Sequence, residues 1–256
     1  ELGVGVVDLS ASFRLDRARY EAHYDEHPCP QRLADAVYGL AEVHRERLRG
    51  ARLIAGPGCF PTGVTLAVGA AYQAGLAGDG PLIADCKTGV TGAGVKASAG
   101  THFCNIADRV MPYKVEGHRH GPEIARNLSE IANRAVGVRF TPHLIPVRRG
   151  ILSTCYVPLA PGVDDSALRA ASRKWVENEP FLHLLETGRQ PDIARVSGTN
   201  RVELQVVCDQ ANGLAVMTSA IDNLCRGSSG GALQALNIAL GLDEGAGLSH
   251  LTPSLP

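Results

Sequence analysis

A short apolar run, Arg52-Leu53-Ile54-Ala55, leads into Gly56-Pro57-Gly58-Cys59-Phe60-Pro61-Thr62-Gly63 and then into an apolar, small-residue stretch that lasts to Ala74. The pattern predicts a strand over 52–55, a tight glycine turn, and a helix over 61–74, with proline near its start and Gly75 just past its end. It commits this part of the chain to strand–turn–helix architecture. It also places Cys59 where a helix begins, among unpaired N–H groups and at the positive end of the helix dipole. Both features stabilise a thiolate, and the same N–H groups can hold an oxyanion. The glycines let backbone and substrate approach closely. The bland alternative is a small buried cysteine in a tight turn.

Around this unit, strands are predicted over 4–7, 81–85, 143–147, 151–159, 202–207 and 214–221, and helices over 16–24, 40–48, 121–134, 166–178 and 230–240. Arg148-Arg149-Gly150 reads as the turn of a hairpin between 143–147 and 151–159, and Ala211-Asn212-Gly213 as the turn of another. The opening third is thus α/β, the middle a mostly antiparallel α+β unit, and the closing helix is placed to return to the first unit. Residues 89–100 read as a glycine-rich loop over the active site, and the tail from Gly245 as loose. The opening Glu1-Leu2-Gly3-Val4-Gly5-Val6-Val7-Asp8, with no initiator Met, reads as the middle of a folded domain.

The 256 residues suffice for one large domain or two small ones. A net charge of -1, from 25 basic and 26 acidic residues, gives no electrostatic reason to expect nucleic acid or an anionic membrane as partner. No apolar run approaches the ~20 residues that span a bilayer, and no leader pattern opens the chain. The seven cysteines form no Cys-x-x-Cys pair and read mostly as small buried residues of a reduced, cytoplasmic protein.

Four further segments carry chemistry. In Glu116-Gly117-His118-Arg119-His120-Gly121-Pro122-Glu123, one of His118 and His120 is the expected acid/base for thiolate chemistry; the residues do not say which. Arg119 is free to pair with an anionic substrate group. Two histidines without further ligands make a poor zinc site, so no metal is expected. Thr88-Gly89-Val90-Thr91-Gly92-Ala93-Gly94 matches phosphate-binding patterns only superficially, since it does not open a helix in a βαβ unit. The small-residue run Asp222-Asn223-Leu224-Cys225-Arg226-Gly227-Ser228-Ser229-Gly230-Gly231 leads into a helix and suits a nicotinamide or ribose, with Asn223 able to donate and accept. Asp8-Leu9-Ser10-Ala11-Ser12-Phe13-Arg14-Leu15 follows the first strand, where open α/β sheets place ligands; local capping by Asp8 or Ser10 is the competing role.

Taken in order, residues 8–15, 56–63, 87–94, 117–124 and 222–237 resemble the N-acetyl-gamma-glutamyl-phosphate reductase family, which is related to aspartate-semialdehyde dehydrogenase. The resemblance implies the second part of an NADP-binding Rossmann domain at 1–58, with 223–256 returning to it. It implies a catalytic and oligomerisation domain at 59–222, of the glyceraldehyde-3-phosphate dehydrogenase-like C-terminal type. The family's preceding Rossmann half, with its glycine-rich turn, has no counterpart in this sequence. The implied activity is NADPH-dependent conversion of N-acetyl-glutamyl phosphate to the semialdehyde, with release of inorganic phosphate, through a thioester on Cys59, in arginine biosynthesis. The implied roles are catalysis by Cys59 with His118 or His120, substrate binding by Arg119, Ser10 and Arg14, and cofactor binding by Asn223, Gly89 and Gly92. A homodimer or homotetramer is implied as well. The alternatives are an N-acetyl-aminoadipyl-phosphate reductase of lysine biosynthesis, or a catalytically inactive fragment or oligomerisation module. Arg226-Gly227-Ser228-Ser229-Gly230-Gly231 stands where the family usually has Lys-Gly-Ala-Ala-Gly-Gln.

Overall fold

The computed structural model describes residues 4–94 and 96–253. Residues 1–3 of the opening run, Val95 of the 89–100 loop and the last three residues of the tail lie outside it. Three short strands, β1 (Val6–Asp8), β2 (Ala36–Tyr38) and β3 (Leu53–Ala55), form a parallel sheet in the order β1-β3-β2. Their carboxyl ends align, with Asp8 and Tyr38 both level with Ala55. Helix α1 (Arg17–Glu21) follows β1 and is capped by Asp16, whose carboxylate accepts from the Arg19 amide. Helices α2 (Ala41–Leu48) and α8 (Gly230–Ala239) meet at this sheet, where Ala41, Leu48, Ile54, Ala235 and Ile238 form a small core.

A seven-stranded sheet makes up the rest, in the order β5-β6-β4-β7-β10-β9-β8. The strands are β4 (Leu82–Thr88), β5 (Met111–Pro112), β6 (Val138–Leu144), β7 (Ile151–Pro158), β8 (Leu182–Leu184), β9 (Val202–Asp209) and β10 (Leu214–Ile221). Only the β4–β6 and β8–β9 pairs are parallel, so the expected mixed fold with a mostly antiparallel sheet is present. One face carries α3 (Cys59–Gln73), α5 (His120–Ala132) and α6 (Asp165–Val176). Helix α3 is buried along nearly its whole length, and at Gly69 the packing leaves no room for a side chain. A Cβ on Gly69 would come within 2.4 Å of Trp175. The Trp175 indole donates to the Leu66 carbonyl at 3.1 Å. The strands alternate inward and outward as a half-covered sheet requires, most plainly β7.

Three expectations are corrected. The hairpin between 143–147 and 151–159 does not form, because β4 lies between β6 and β7 and pairs with both. Residues 145–150 instead cross the end of β4: the Ile145 amide donates to Thr88, while Val90 and Thr91 donate to the Val147 and Arg148 carbonyls. The tail is not loose. Leu248 is buried, and Asn237 Nδ2 donates to the Ala246 carbonyl at 2.9 Å, holding the turn after α8 against the helix. The Gly89–Gly100 segment contains a 3-10 turn at Val90–Ala93 fastened to the 147–148 backbone, so its first part is a packed wall and not a free flap.

Candidate active site

The carboxyl ends of the three-stranded sheet open onto a cleft of about 490 Å³. It is bounded by the Leu9–Arg14 loop, the Pro57–Cys59 turn, Thr91 and Gly92, Arg119 and His120, and the turn at Asn223–Ser228. Cys59 is the first residue of α3, with Gly58 as its cap. The Phe60 and Cys59 backbone amides at the helix start favour the thiolate. Cys59 is half-buried as a residue, yet its thiol end is enclosed by protein, and that burial pushes the thiol up to about 11, against the pull of those amides and of Arg14. Cys59 is therefore a thiol at neutral pH. Desolvation outweighs a helix terminus worth roughly 0.3–1 kcal/mol.

Gly58 is the point on which the neighbouring side chains converge. A Cβ there would lie 2.8 Å from His120 Nε2, 3.0 Å from Glu123 Oε2 and 3.1 Å from Arg14 Nη1. Glu123 is buried one turn along α5 from His120; its Oε1 accepts from the Gly58 amide at 2.8 Å and from the Tyr38 hydroxyl at 2.7 Å. Arg14 Nη1 lies 3.6 Å from Glu123 Oε2, while its Nε and Nη2 donate to the Gly56 and Leu9 carbonyls. Arg14 is thus committed to the scaffold.

The two histidines part company. His120 lines the cleft and is buried. His118 sits behind it, edge-on to Phe60, Tyr113 and Phe140, with its Nδ1 accepting from the His120 amide. Burial holds both down to about 3, helped by mutual repulsion at His118 and by Arg14 and Arg119 at His120, so both rings are neutral at neutral pH. Arg119 also lines the cleft; among the described residues it makes no ion pair and rests over the Tyr24 ring.

The far wall is fixed by Asp222, which is fully buried. It accepts from the Gly198, Leu224 and Cys225 amides and from Arg149. These bonds shape a single π turn, Cys225–Ser229, that brings Gly227 against Cys59. Asn223 lines the cleft, but its amide is engaged: Oδ1 accepts from the Gly150 amide at 2.7 Å and Nδ2 donates to Thr91 at 3.1 Å. Arg226 turns inward to a bidentate pair with Glu42 at 2.7 Å.

Residues 59–223 match the family described as "Semialdehyde dehydrogenase, dimerisation domain". The N-acetyl-gamma-glutamyl-phosphate reductase of Pseudomonas entomophila is 47% identical over 97% of this chain and 72% of its own length. That of Syntrophobacter fumaroxidans is 45% identical over 96% and 72%. The chain belongs to the N-acetyl-gamma-glutamyl-phosphate reductase family. The fold is also that of aspartate semialdehyde dehydrogenase II from Vibrio cholerae, with a TM-score of 0.70 at 19% identity over 92% of this chain and 72% of that one.

Of the residues that the family resemblance nominated, the structure gathers Cys59, His120, Arg119, Ser10, Arg14, Asn223 and Gly92 around one cleft. His118 stands behind the lining. Gly89 is also outside it, packed against the 147–149 backbone, where a Cβ would meet the Val147 carbonyl at 2.5 Å. Ser10 is turned back onto Asp8, its hydroxyl donating to that carboxylate at 2.7 Å, the capping arrangement that competed with a binding role. Glu123 and Asp222 were missed as site residues. Glu123 had a signal, since it lies three residues after His120 on a helix and so shares its face. Asp222 had only the local signal of an Asx turn onto Leu224 and Cys225, because its other partners come from residues 149 and 198.

Proposed function

We propose that this chain carries the catalytic centre of an NADPH-dependent N-acetyl-glutamyl-phosphate reductase acting in cytoplasmic arginine biosynthesis. The observation that carries the reading is the placing of Cys59, His120 and Arg119 around one cleft, in a chain 47% identical to reductases of that name. The division into 1–58 with 223–256, and 59–222, is proposed with it.

The Cys59 sulfur attacks the acyl carbon, the S–C bond forms, and the C–O bond to phosphate breaks. His120, whose affinity for a proton rises when the anionic phosphate lies beside it, accepts the thiol proton, which leaves with the phosphate. Arg119, with no ion-pair partner among the described residues, takes an anionic group of the substrate. The cleft wall of Thr91, Gly92, Asn223, Leu224 and Ser228 is largely backbone and small side chains, and it fits the nicotinamide end of NADPH. NADPH, when bound, supplies the hydride that reduces the thioester carbon. His120 delivers a solvent proton to the carbonyl oxygen, giving the thiohemiacetal, and then relays the hydroxyl proton to sulfur as the C–S bond breaks and the aldehyde departs.

The outer face of the large sheet supports a homo-oligomer. Ile83, Tyr156, Val216 and Val207 stand side by side across β4, β7, β10 and β9, an apolar row with Ile83 and Val207 nearly half exposed. A second copy laid on this face would bury it.

The test is NADPH consumption with N-acetyl-glutamyl phosphate, coupled to mass spectrometry of the acid-quenched enzyme. The acyl adduct is expected on the Cys59 peptide, and Cys59→Ser should abolish both signals. Turnover by Cys59→Ser at the wild-type rate would remove the proposal.

A further inference from the structure

Among the described residues, Tyr24 is the one aromatic ring of the cleft that touches a cation with no ion-pair partner. The Arg119 guanidinium carbon lies 5.6 Å from the Tyr24 ring centroid. Tyr24 in turn stacks on Tyr20 at 4.8 Å, with the planes only 10° apart, one helical turn away. Tyr20 is buried and meets the ring of His27 edge-on at 4.8 Å. His27 is itself buried and fixed at both nitrogens. Nδ1 accepts from the Cys29 amide at 3.1 Å, which leaves Nε2 to donate to the Ser12 carbonyl at 2.5 Å. The result is a column of rings, anchored in the interior at His27 and ending at Arg119 over the cleft. Ser12, Tyr20, Tyr24 and Arg119 all line that cleft.

A guanidinium held by its face against a ring keeps its in-plane N–H donors free. Had a carboxylate held Arg119, those donors would be spent, as they are in Arg226 on Glu42. We infer that Tyr24 is a positioning residue: it orients Arg119 so that its donor edge receives an oxyanion of the substrate. The inference rests on the proposed reductase reading. An acyl phosphate of this kind offers two oxyanions, a phosphate beside the reacting carbon and a carboxylate at the far end. The planar fork matches either one.

The ring is what the arrangement needs, and the hydroxyl is not. Tyr24→Phe should therefore retain wild-type behaviour, whereas Tyr24→Leu should raise KM about tenfold with little change in kcat, the scale of a desolvated cation–ring contact. Titration calorimetry with N-acetyl-L-glutamate and with inorganic phosphate as non-reacting probes gives a readout free of turnover. Weakened binding of the first probe alone identifies the carboxylate as the group Arg119 holds, and of the second alone the phosphate. Tyr24→Leu should add nothing in an Arg119→Gln background, because the two act as one unit. Additive losses, or a Tyr24→Phe variant as weak as Tyr24→Leu, would overturn the inference, as would failure of the wild-type chain to bind either probe. Coupled binding losses in a chain without reductase turnover would leave the positioning role standing and remove the reductase reading.

Discussion

Gly227 lies directly against Cys59: a Cβ built on Gly227 would come within 2.8 Å of the Cys59 Cβ and 3.2 Å of its Cα. The contact joins residues far apart in the chain, and it sets how far the π turn can close over the start of α3. On its other side Gly58, the residue before it, leaves no room for a side chain beside His120 and Glu123. Cys59 is therefore located by two positions where any side chain would be in the way.

Gly227→Ala should shift Cys59 or open the π turn. A contact of 2.8 Å to a neighbour's Cβ, with its Cα at 3.2 Å, cannot be relieved by rotating a flexible side chain. Overpacking of this kind costs about 1–3 kcal/mol. The turnover rate should fall by more than tenfold, since a displacement near 1 Å at a reacting centre is worth about two orders of magnitude. Steady-state kinetics and a thermal melt, run together, separate the two effects. Wild-type turnover with a lowered Tm would mean that the contact serves packing alone.

The surroundings of Cys59 set its pH dependence. Burial pushes the thiol up to about 11. Alkylation by a small neutral reagent, followed peptide by peptide, should rise at Cys59 only well above the ordinary thiol value of about 8.5. His120→Asn should leave that profile nearly unmoved, because the ring it removes is already neutral. A midpoint below about 8 would mean that the N–H groups and Arg14 outweigh burial after all.

Much of this was legible in the sequence, and the rest was not for identifiable reasons. Helix α3 announced itself through Gly56–Gly63 and Gly75, and α6 through its apolar spacing. Its cap, Asp164, accepts from the Ala167 amide at 2.8 Å. The cleft residues were found because they sit in motifs at element ends. Strand order was not legible: β6 and β7 adjoin in sequence with a turn-like Arg-Arg-Gly between them, and nothing local says that β4 separates them. The three-residue strands β2 and β8 are too short to show alternation. His118 and His120 are two residues apart, and only the packing of His118 against Phe60, Tyr113 and Phe140 decides which one lines the cleft.

Stability should fall as acid is added, before the carboxylates titrate. Burial lowers His44 to about 4, against Glu130 and with Arg126 and Arg47 assisting, and lowers His118 and His120 to about 3. An unfolded histidine titrates near 6.5, so below that value the unfolded chain binds protons that the folded chain refuses. The contribution is whole above about pH 6.5 and is lost progressively as pH drops toward the folded values. Melting temperatures from about pH 7.5 to 4.5 should trace this decline, and His44→Gln should flatten it in part. A flat profile over that range would show the rings to be accessible to protons.

The pair between Arg226 and Glu42 is buried on both sides, with side chains 2% and 1% exposed. Breaking such a pair from one side strands a charge and costs about 3–5 kcal/mol. Glu42→Gln should therefore lower stability by about 3 kcal/mol in urea unfolding, loosening α2 from the π turn. The double replacement Glu42→Leu with Arg226→Met should be less harmful than the single one, because no charge is left without a partner. A single variant as stable as wild type would show that solvent reaches the pair.

The apolar row across β4, β7, β10 and β9 gives the proposed oligomer a definite address. Val216 sits at its centre, level with Tyr156 on one side and Val207 on the other, and its neighbours Ala215 and Met217 point into the core. Val216→Glu thus places a charge in the middle of the outer face without disturbing the inner one. Buried against a second copy, that charge has no opposite partner among the four residues of the row, and desolvating it costs several kcal/mol per copy. Light scattering on the eluting protein should show the wild-type chain as an oligomer and Val216→Glu as a monomer with native circular dichroism. An oligomer of unchanged mass in the variant would move the interface away from this face, and a monomeric wild type would remove it.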